Sequence, residues 1–181
     1  MNAELYFITS NEHKFNEARE ILKGIEIKLI RKSYREIQSD TLKEVAIEAM
    51  KEMEGDRIFI EDSGLFVEAL RGFPGVYSAY VSKTIGYKGI LRLMKGEENR
   101  KAYFKSVVCL KLKGEIKIFR GKVEGRIAEK ARGRGGFGYD PIFIPEGSDK
   151  TFAEAPEIKN IASHRKRALE GMKDFLEEFQ I

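Results

Sequence analysis

Between Leu5 and Ile60 the chain alternates short apolar runs with amphipathic stretches. Leu5 to Ile8, Ile25 to Ile30 and Arg57 to Ile60 read as strands. A helix is predicted from about Glu12 to Lys23. Its inner face is Phe15, Ala18 and Leu22, and Gly24 is its stop. A second helix, capped by Asp40 or Ser39, turns Leu42, Val45, Ala46, Ala49 and Met53 inward and stops at Gly55. Strand, helix, strand, helix, strand is the pattern of an α/β fold, because helices must cover the apolar faces of the strands.

The rest of the chain is more β-rich. Gly72-Phe73-Pro74-Gly75 is a turn, and Lys83 to Lys95 is predicted as one helix. Ala102 to Leu112 and Glu115 to Ala128 form a hairpin joined at Lys113-Gly114. Arg132 to Gly138, with four glycines, is a loop. Pro156 to Phe179 closes the chain as a single helix. No repeat, low-complexity tract or linker interrupts residues 1–181, which read as one domain with two lobes and a cleft.

Composition narrows the function classes. The 33 basic and 29 acidic residues are mixed along the chain, so the net charge of +4 describes a surface of paired charges better than a nucleic-acid footprint. No apolar run approaches the roughly 18 residues of a membrane span, so no membrane partner is expected. Met1 to Ile8 lacks the basic and long apolar regions of a secretion signal. The lone Cys109 has no partner within the chain, and a cytoplasmic location is expected. Its apolar neighbours read it as a buried structural thiol.

Three segments carry chemistry. Thr9-Ser10-Asn11 followed by Lys14 lies where a strand feeds a helix, and the helix dipole there favours an anion such as phosphate. An ordinary helix cap with a surface lysine is the alternative. Glu61-Asp62-Ser63-Gly64 follows an apolar strand, at the end that opens onto ligands in α/β folds. Its hard oxygens suit Mg²⁺, with Glu36 as a second carboxylate; a solvated polar turn is the alternative. In Gly136-Phe137-Gly138-Tyr139-Asp140-Pro141, glycines frame a ring that either stacks on a base or packs in the core. Downstream, Lys159, Ser163, His164 and Arg165 gather on the closing helix. Steps of three and four place Arg165 on that helix's apolar stripe. An inward arginine must meet a partner, a ligand or a carboxylate, or send its stem out to solvent.

Taken together, these segments resemble the inosine triphosphate pyrophosphatase family, hydrolases of non-standard purine nucleoside triphosphates. The matching runs are Thr9-Ser10-Asn11…Lys14, Glu61 to Leu65, Pro74 to Ala79, Gly136 to Pro141, Thr151 to Glu154, and Lys159-Asn160…Ser163-His164-Arg165. They stand in family order along nearly the whole chain. The resemblance implies a long mixed central sheet with flanking helices, two lobes around a nucleotide-binding cleft, and a homodimer. It also implies roles. Thr9, Ser10, Asn11, Glu12, His13 and Lys14 bind the triphosphate. Glu36 and Asp62 hold Mg²⁺, and Asp62 is the base that activates water. Ser63 contacts phosphate or sugar. Phe137 stacks on the purine beside Gly138, Tyr139 and Asp140, and Lys159, His164 and Arg165 contact the base. The chain departs from the family at Ala49, where many members carry a lysine; Lys43 or Lys51 is the nearest substitute. A Maf-like pyrophosphatase of modified pyrimidine nucleotides is the nearest rival. A basic single-strand binder using Arg132, Arg134 and Phe137 is a second, disfavoured by the carboxylates.

Overall fold

The computed structural model describes residues 4–35 and 37–179. Six strands form one mixed sheet in the order β2-β1-β3-β4-β5-β6. They are β1 (Leu5–Ile8), β2 (Ile27–Ile30), β3 (Ile58–Val67), β4 (Lys101–Leu112), β5 (Glu115–Ile127) and β6 (Phe143–Pro145). β1 runs parallel to β2 and β3, and β6 runs antiparallel to β5. The helices are α1 (Glu12–Ile21), α2 (Leu42–Lys51), α3 (Ser78–Thr84), α4 (Gly86–Leu93), α5 (Pro156–Ala162) and α6 (His164–Glu178). The α/β class read from the first sixty positions is therefore the class observed.

Local chemistry accounts for the boundaries. Asn11 caps α1, accepting from the backbone N–H groups of His13 and Lys14. Thr41, not Asp40 or Ser39, caps α2 through the Glu44 N–H. Ser39 supports that cap through the Thr41 N–H and the Glu44 carboxylate. All the predicted inward residues of α2 are buried. Lys113 and Gly114 both have positive φ, 51° and 79°, as a two-residue turn between twisted strands requires.

Three expectations are corrected. β3 does not end at Ile60 but continues through Glu61-Asp62-Ser63-Gly64 to Val67. The carboxylates are accommodated inside it because Glu61 is ion-paired and because Leu65 and Val67 resume the core face. The helix expected from Lys83 to Lys95 is instead α3 and α4, broken where Gly86 takes φ +60°. The closing helix is also two, separated by Ser163 at φ −71° and ψ 158°. Serine offers the backbone polar alternatives to helical bonding. The single stripe counted across that break fails at Ile161, which is 71% exposed.

The chain divides into two compact units. The first comprises Met1–Asp62, Ser106–Gly121 and His164–Ile181, within their described residues. Its core packs Leu5, Phe7 and Phe59 of the sheet, with Val108, Leu110 and Leu112, against Ala18 and Leu22 at α1 and Leu169, Met172 and Leu176 of α6. Cys109 is buried here, and desolvation pushes its thiol up to about 12. The second comprises Ser63–Lys105 and Lys122–Ser163. Its core gathers Leu65, Val67, Ile90, Met94, Phe104, Phe143 and Phe152.

Candidate functional site

In the first unit, the start of α1 is a polar turn. Thr9 Oγ1 accepts from the Asn11 N–H at 3.1 Å, and Asn11 Oδ1 accepts from the N–H groups of His13 at 3.0 Å and Lys14 at 3.3 Å. Two of the first backbone amides of α1 are thus taken by the cap. Ser10 and His13 are exposed, and Glu12 pairs with Arg31 at the surface. Lys14 reaches inward, donating to the Glu61 carbonyl at 3.0 Å and approaching Glu61 Oε2 to 2.9 Å.

Glu61 is the centre of a buried ionic cluster. It is 1% exposed. Ser106 Oγ donates to its Oε1 at 2.6 Å, and Arg165 Nη2 donates to its Oε2 at 3.4 Å. Arg165, itself 1% exposed, also pairs with Glu17 of α1. Burial alone would raise the Glu61 pKa, but Arg165 and Lys14 hold it well below the carboxylate range, helped by the Ser106 hydrogen bond. Burial works against the Arg165 charge in the same way, and Glu61 and Glu17 more than restore it. Of the two partners left open for the inward arginine, the structure supplies carboxylates. The cluster is reachable because α6 passes close to β5 at Gly121. A Cβ there would lie 1.9 Å from the His164 carbonyl oxygen.

Asp62 follows Glu61 on the same strand, so its side chain projects to the opposite face. It is 6% exposed. Among the described residues, no group of three or more His, Cys, Asp or Glu side chains is placed to hold a metal ion. Mg²⁺ commonly binds through one or two carboxylates together with substrate phosphates, and Asp62 fits that mode, since the Glu61 oxygens are engaged by Lys14, Arg165 and Ser106. Glu36, the other proposed ligand, lies outside the described residues.

In the second unit, the glycine-framed loop forms its own cluster. Asp140, 3% exposed, accepts on Oδ2 from the Phe137 N–H at 2.8 Å and from Lys159 Nζ at 2.7 Å. The Lys159 ammonium stands 4.2 Å from the centroid of the half-buried Phe137 ring, close enough for a cation–π contact. Tyr139 is buried, and its hydroxyl donates to the Ser78 carbonyl at 2.8 Å. Asp140 and Tyr139 thus brace Phe137 instead of standing beside it as an open wall. Gly136 has φ +71°, and a Cβ there would sit 2.1 Å from Asp140 Oδ2. Gly136→Ala should cost about 1–2 kcal/mol from the left-handed backbone alone and displace Asp140. A lowered thermal midpoint with a shifted Phe137 amide resonance is expected; an unchanged midpoint would contradict this packing.

The predicted residues thus fall into two groups. Thr9, Asn11, Lys14, Asp62, His164 and Arg165 belong to the first unit, and Ser63, Phe137, Gly138, Tyr139, Asp140 and Lys159 to the second. His164, 3% exposed, opens α6. Sequence reasoning missed Glu61 as the centre, and with it Glu17, Ser106 and Ser78. Glu17 had a signal, since it follows Lys14 by three positions on one helix face. Ser106 had none, because its pairing depends on strand register.

The fold is a mixed α/β sheet with flanking helices. The chain belongs to the Ham1 family, whose model matches residues 5–175. A Thermococcus kodakarensis protein named dITP/XTP pyrophosphatase is 56% identical over 181 residues, covering 96% of this chain and 97% of that protein. A Pyrococcus horikoshii protein of the same name is 50% identical over 179 residues, 96% of each. The solved structure of the Staphylococcus aureus Ham1 protein superposes with a TM-score of 0.80 at 32% identity, covering 96% of this chain and 99% of that one.

Proposed function

We propose that this chain hydrolyses the non-standard purine nucleoside triphosphates ITP, dITP and XTP to the nucleoside monophosphate and pyrophosphate. The observation that carries the reading is the 56% identity, over nearly the full length of both chains, to a relative named for dITP and XTP. The braced Phe137–Lys159 pair supports it independently, as a ring with a cation at its face suits an oxygen-rich base.

In this reading Asp62 is the catalytic residue, taking a proton from the water that attacks the triphosphate. Asp62 and Glu36 would hold Mg²⁺, which when bound neutralises and orients the polyphosphate. Residues Thr9 to Lys14 bind phosphate, with Lys14 pre-set by Glu61. Ser63 meets phosphate or sugar. Phe137 stacks on the purine, and Lys159 and His164 contact the base, while Arg165 stays on Glu61 and Glu17. Hypoxanthine and xanthine present an acceptor oxygen at C6, whereas adenine presents a donor. Cationic donors therefore pair with the former and are left unsatisfied by the latter, a mismatch that discriminates by roughly 10⁴-fold. Such an enzyme would serve the cytoplasmic nucleotide pool, as a homodimer by family resemblance. Among the described residues, no helix is long and apolar enough to cross a membrane.

The test is pyrophosphate release across the common and deaminated triphosphates, with and without EDTA. ITP and XTP should be hydrolysed far faster than ATP, and EDTA should abolish turnover. Preference for modified pyrimidine nucleotides would move the chain to the Maf-like reading.

A further inference from the structure

Ser78 hydrogen-bonds to Leu65, Gly75 and Tyr139 in the second unit. Its hydroxyl accepts from the Leu65 N–H at 2.9 Å and donates to the Gly75 carbonyl at 2.7 Å. Its own carbonyl accepts from the Tyr139 hydroxyl at 2.8 Å. The residue is 5% exposed.

The first of these bonds has a structural reason. β1 pairs with β3 at Ile58 and Phe59. Farther along β3, an isolated bridge joins Phe66 to Pro74, and the Ser78 hydroxyl takes the Leu65 N–H. The Pro74–Ser78 segment thus stands in for a strand. The packing is close: a Cβ on Gly64 would lie 2.3 Å from the Gly75 oxygen and 3.1 Å from Ser78 Oγ. Buried N–H groups are costly to leave unpaired, so this hydroxyl holds the segment against the strand that carries Ser63.

The third bond reaches the base-side loop. Tyr139 lies between Gly138 and Asp140, the residue whose carboxylate holds both the Phe137 amide and Lys159. Gly138 has φ +61° with nothing near its missing Cβ. Beside it, Tyr139 is held both by the core it packs in and by the tether from its hydroxyl to Ser78.

We propose that Ser78 is a positioning residue for base recognition, tying the Ser63–Leu65 stretch of β3 to the loop that presents Phe137. This rests on the nucleotide-hydrolase reading above. Ser78 acts through Leu65 and Tyr139, not on the reacting atoms. Its loss should therefore weaken binding of the base and leave the chemical step nearly intact.

The experiment compares Ser78→Ala, Tyr139→Phe and the double variant, well below their melting temperatures. Each single change should raise KM for ITP about tenfold, the scale of one hydrogen bond, with kcat within about threefold of wild type. The double variant should be no worse than the poorer single one, because both act through one tether. Hydrogen exchange over residues 136–140 should accelerate in both singles. Additive effects, a fall in kcat at constant KM, or unchanged exchange would each overturn the proposal. If Ser78→Ala fails to fold, Tyr139→Phe alone must show the KM shift and faster exchange, and lacking either it overturns the proposal. If the wild-type chain releases no pyrophosphate from ITP, the function reading fails, and exchange alone decides the tether.

Discussion

Asp62→Asn should lower kcat for ITP by at least about 100-fold, the scale of general-base catalysis, or roughly 2.7 kcal/mol of transition-state stabilisation. The amide keeps the shape of the carboxylate but cannot play the proposed base, and it would withdraw one negative charge from the residues proposed to hold Mg²⁺. Pyrophosphate release at saturating ITP and Mg²⁺ measures the effect. Because Asp62 lies on the face of β3 opposite Glu61, the Lys14–Glu61–Arg165 cluster should survive the change. A thermal midpoint near that of wild type is therefore expected alongside the lost activity. Turnover near the wild-type rate would remove Asp62 from the catalytic role.

The second large effect is on stability. Glu61→Gln should cost about 3 kcal/mol or more, because removing one partner of a buried ion pair leaves the other charge uncompensated. Arg165 would keep Glu17, while Lys14 would lose the carboxylate 2.9 Å away. For a chain of this size the thermal midpoint should fall by about 6–12 °C. The pH dependence has a definite sign. The folded-state pKa of Glu61 lies below its ordinary value of 4.5, so the unfolded chain binds the proton more readily. The contribution is fully present above about 4.5 and is lost as pH falls through the folded value. Denaturant melts from pH 7 down to pH 3 should show wild type losing stability on the acid side and Glu61→Gln losing less. Parallel curves would show that Glu61 does not carry that charge.

Much of this was legible in the residues. The spacing of Leu42, Val45, Ala46 and Ala49 located α2, and Lys113-Gly114 located the tight turn, because both signals are local. Gly136 and Gly138 marked a loop, and both take the left-handed backbone that glycine permits. What was not legible depended on distant partners. Glu61-Asp62 looked like a strand terminus because carboxylates are rarely buried; only Lys14, Ser106 and Arg165, remote in sequence, make an interior site tolerable. The inward position of Arg165 was legible, but its carboxylates were not, since Glu17 is separated from it by almost the entire chain. A periodicity count cannot see Ser163 leave the helix, because serine is compatible with either outcome until tertiary contacts decide.

The close approach of β5 to the start of α6 places an unusual demand on position 121. The His164 carbonyl occupies the space that any side chain there would need. Even alanine would wedge the helix off the strand, and the guanidinium one residue along would be drawn from its carboxylates. A methyl group at a position with no ionisable duty of its own would then act as a lesion of the charge cluster. Tolerance to drift at this position is set by clearance, not by chemistry.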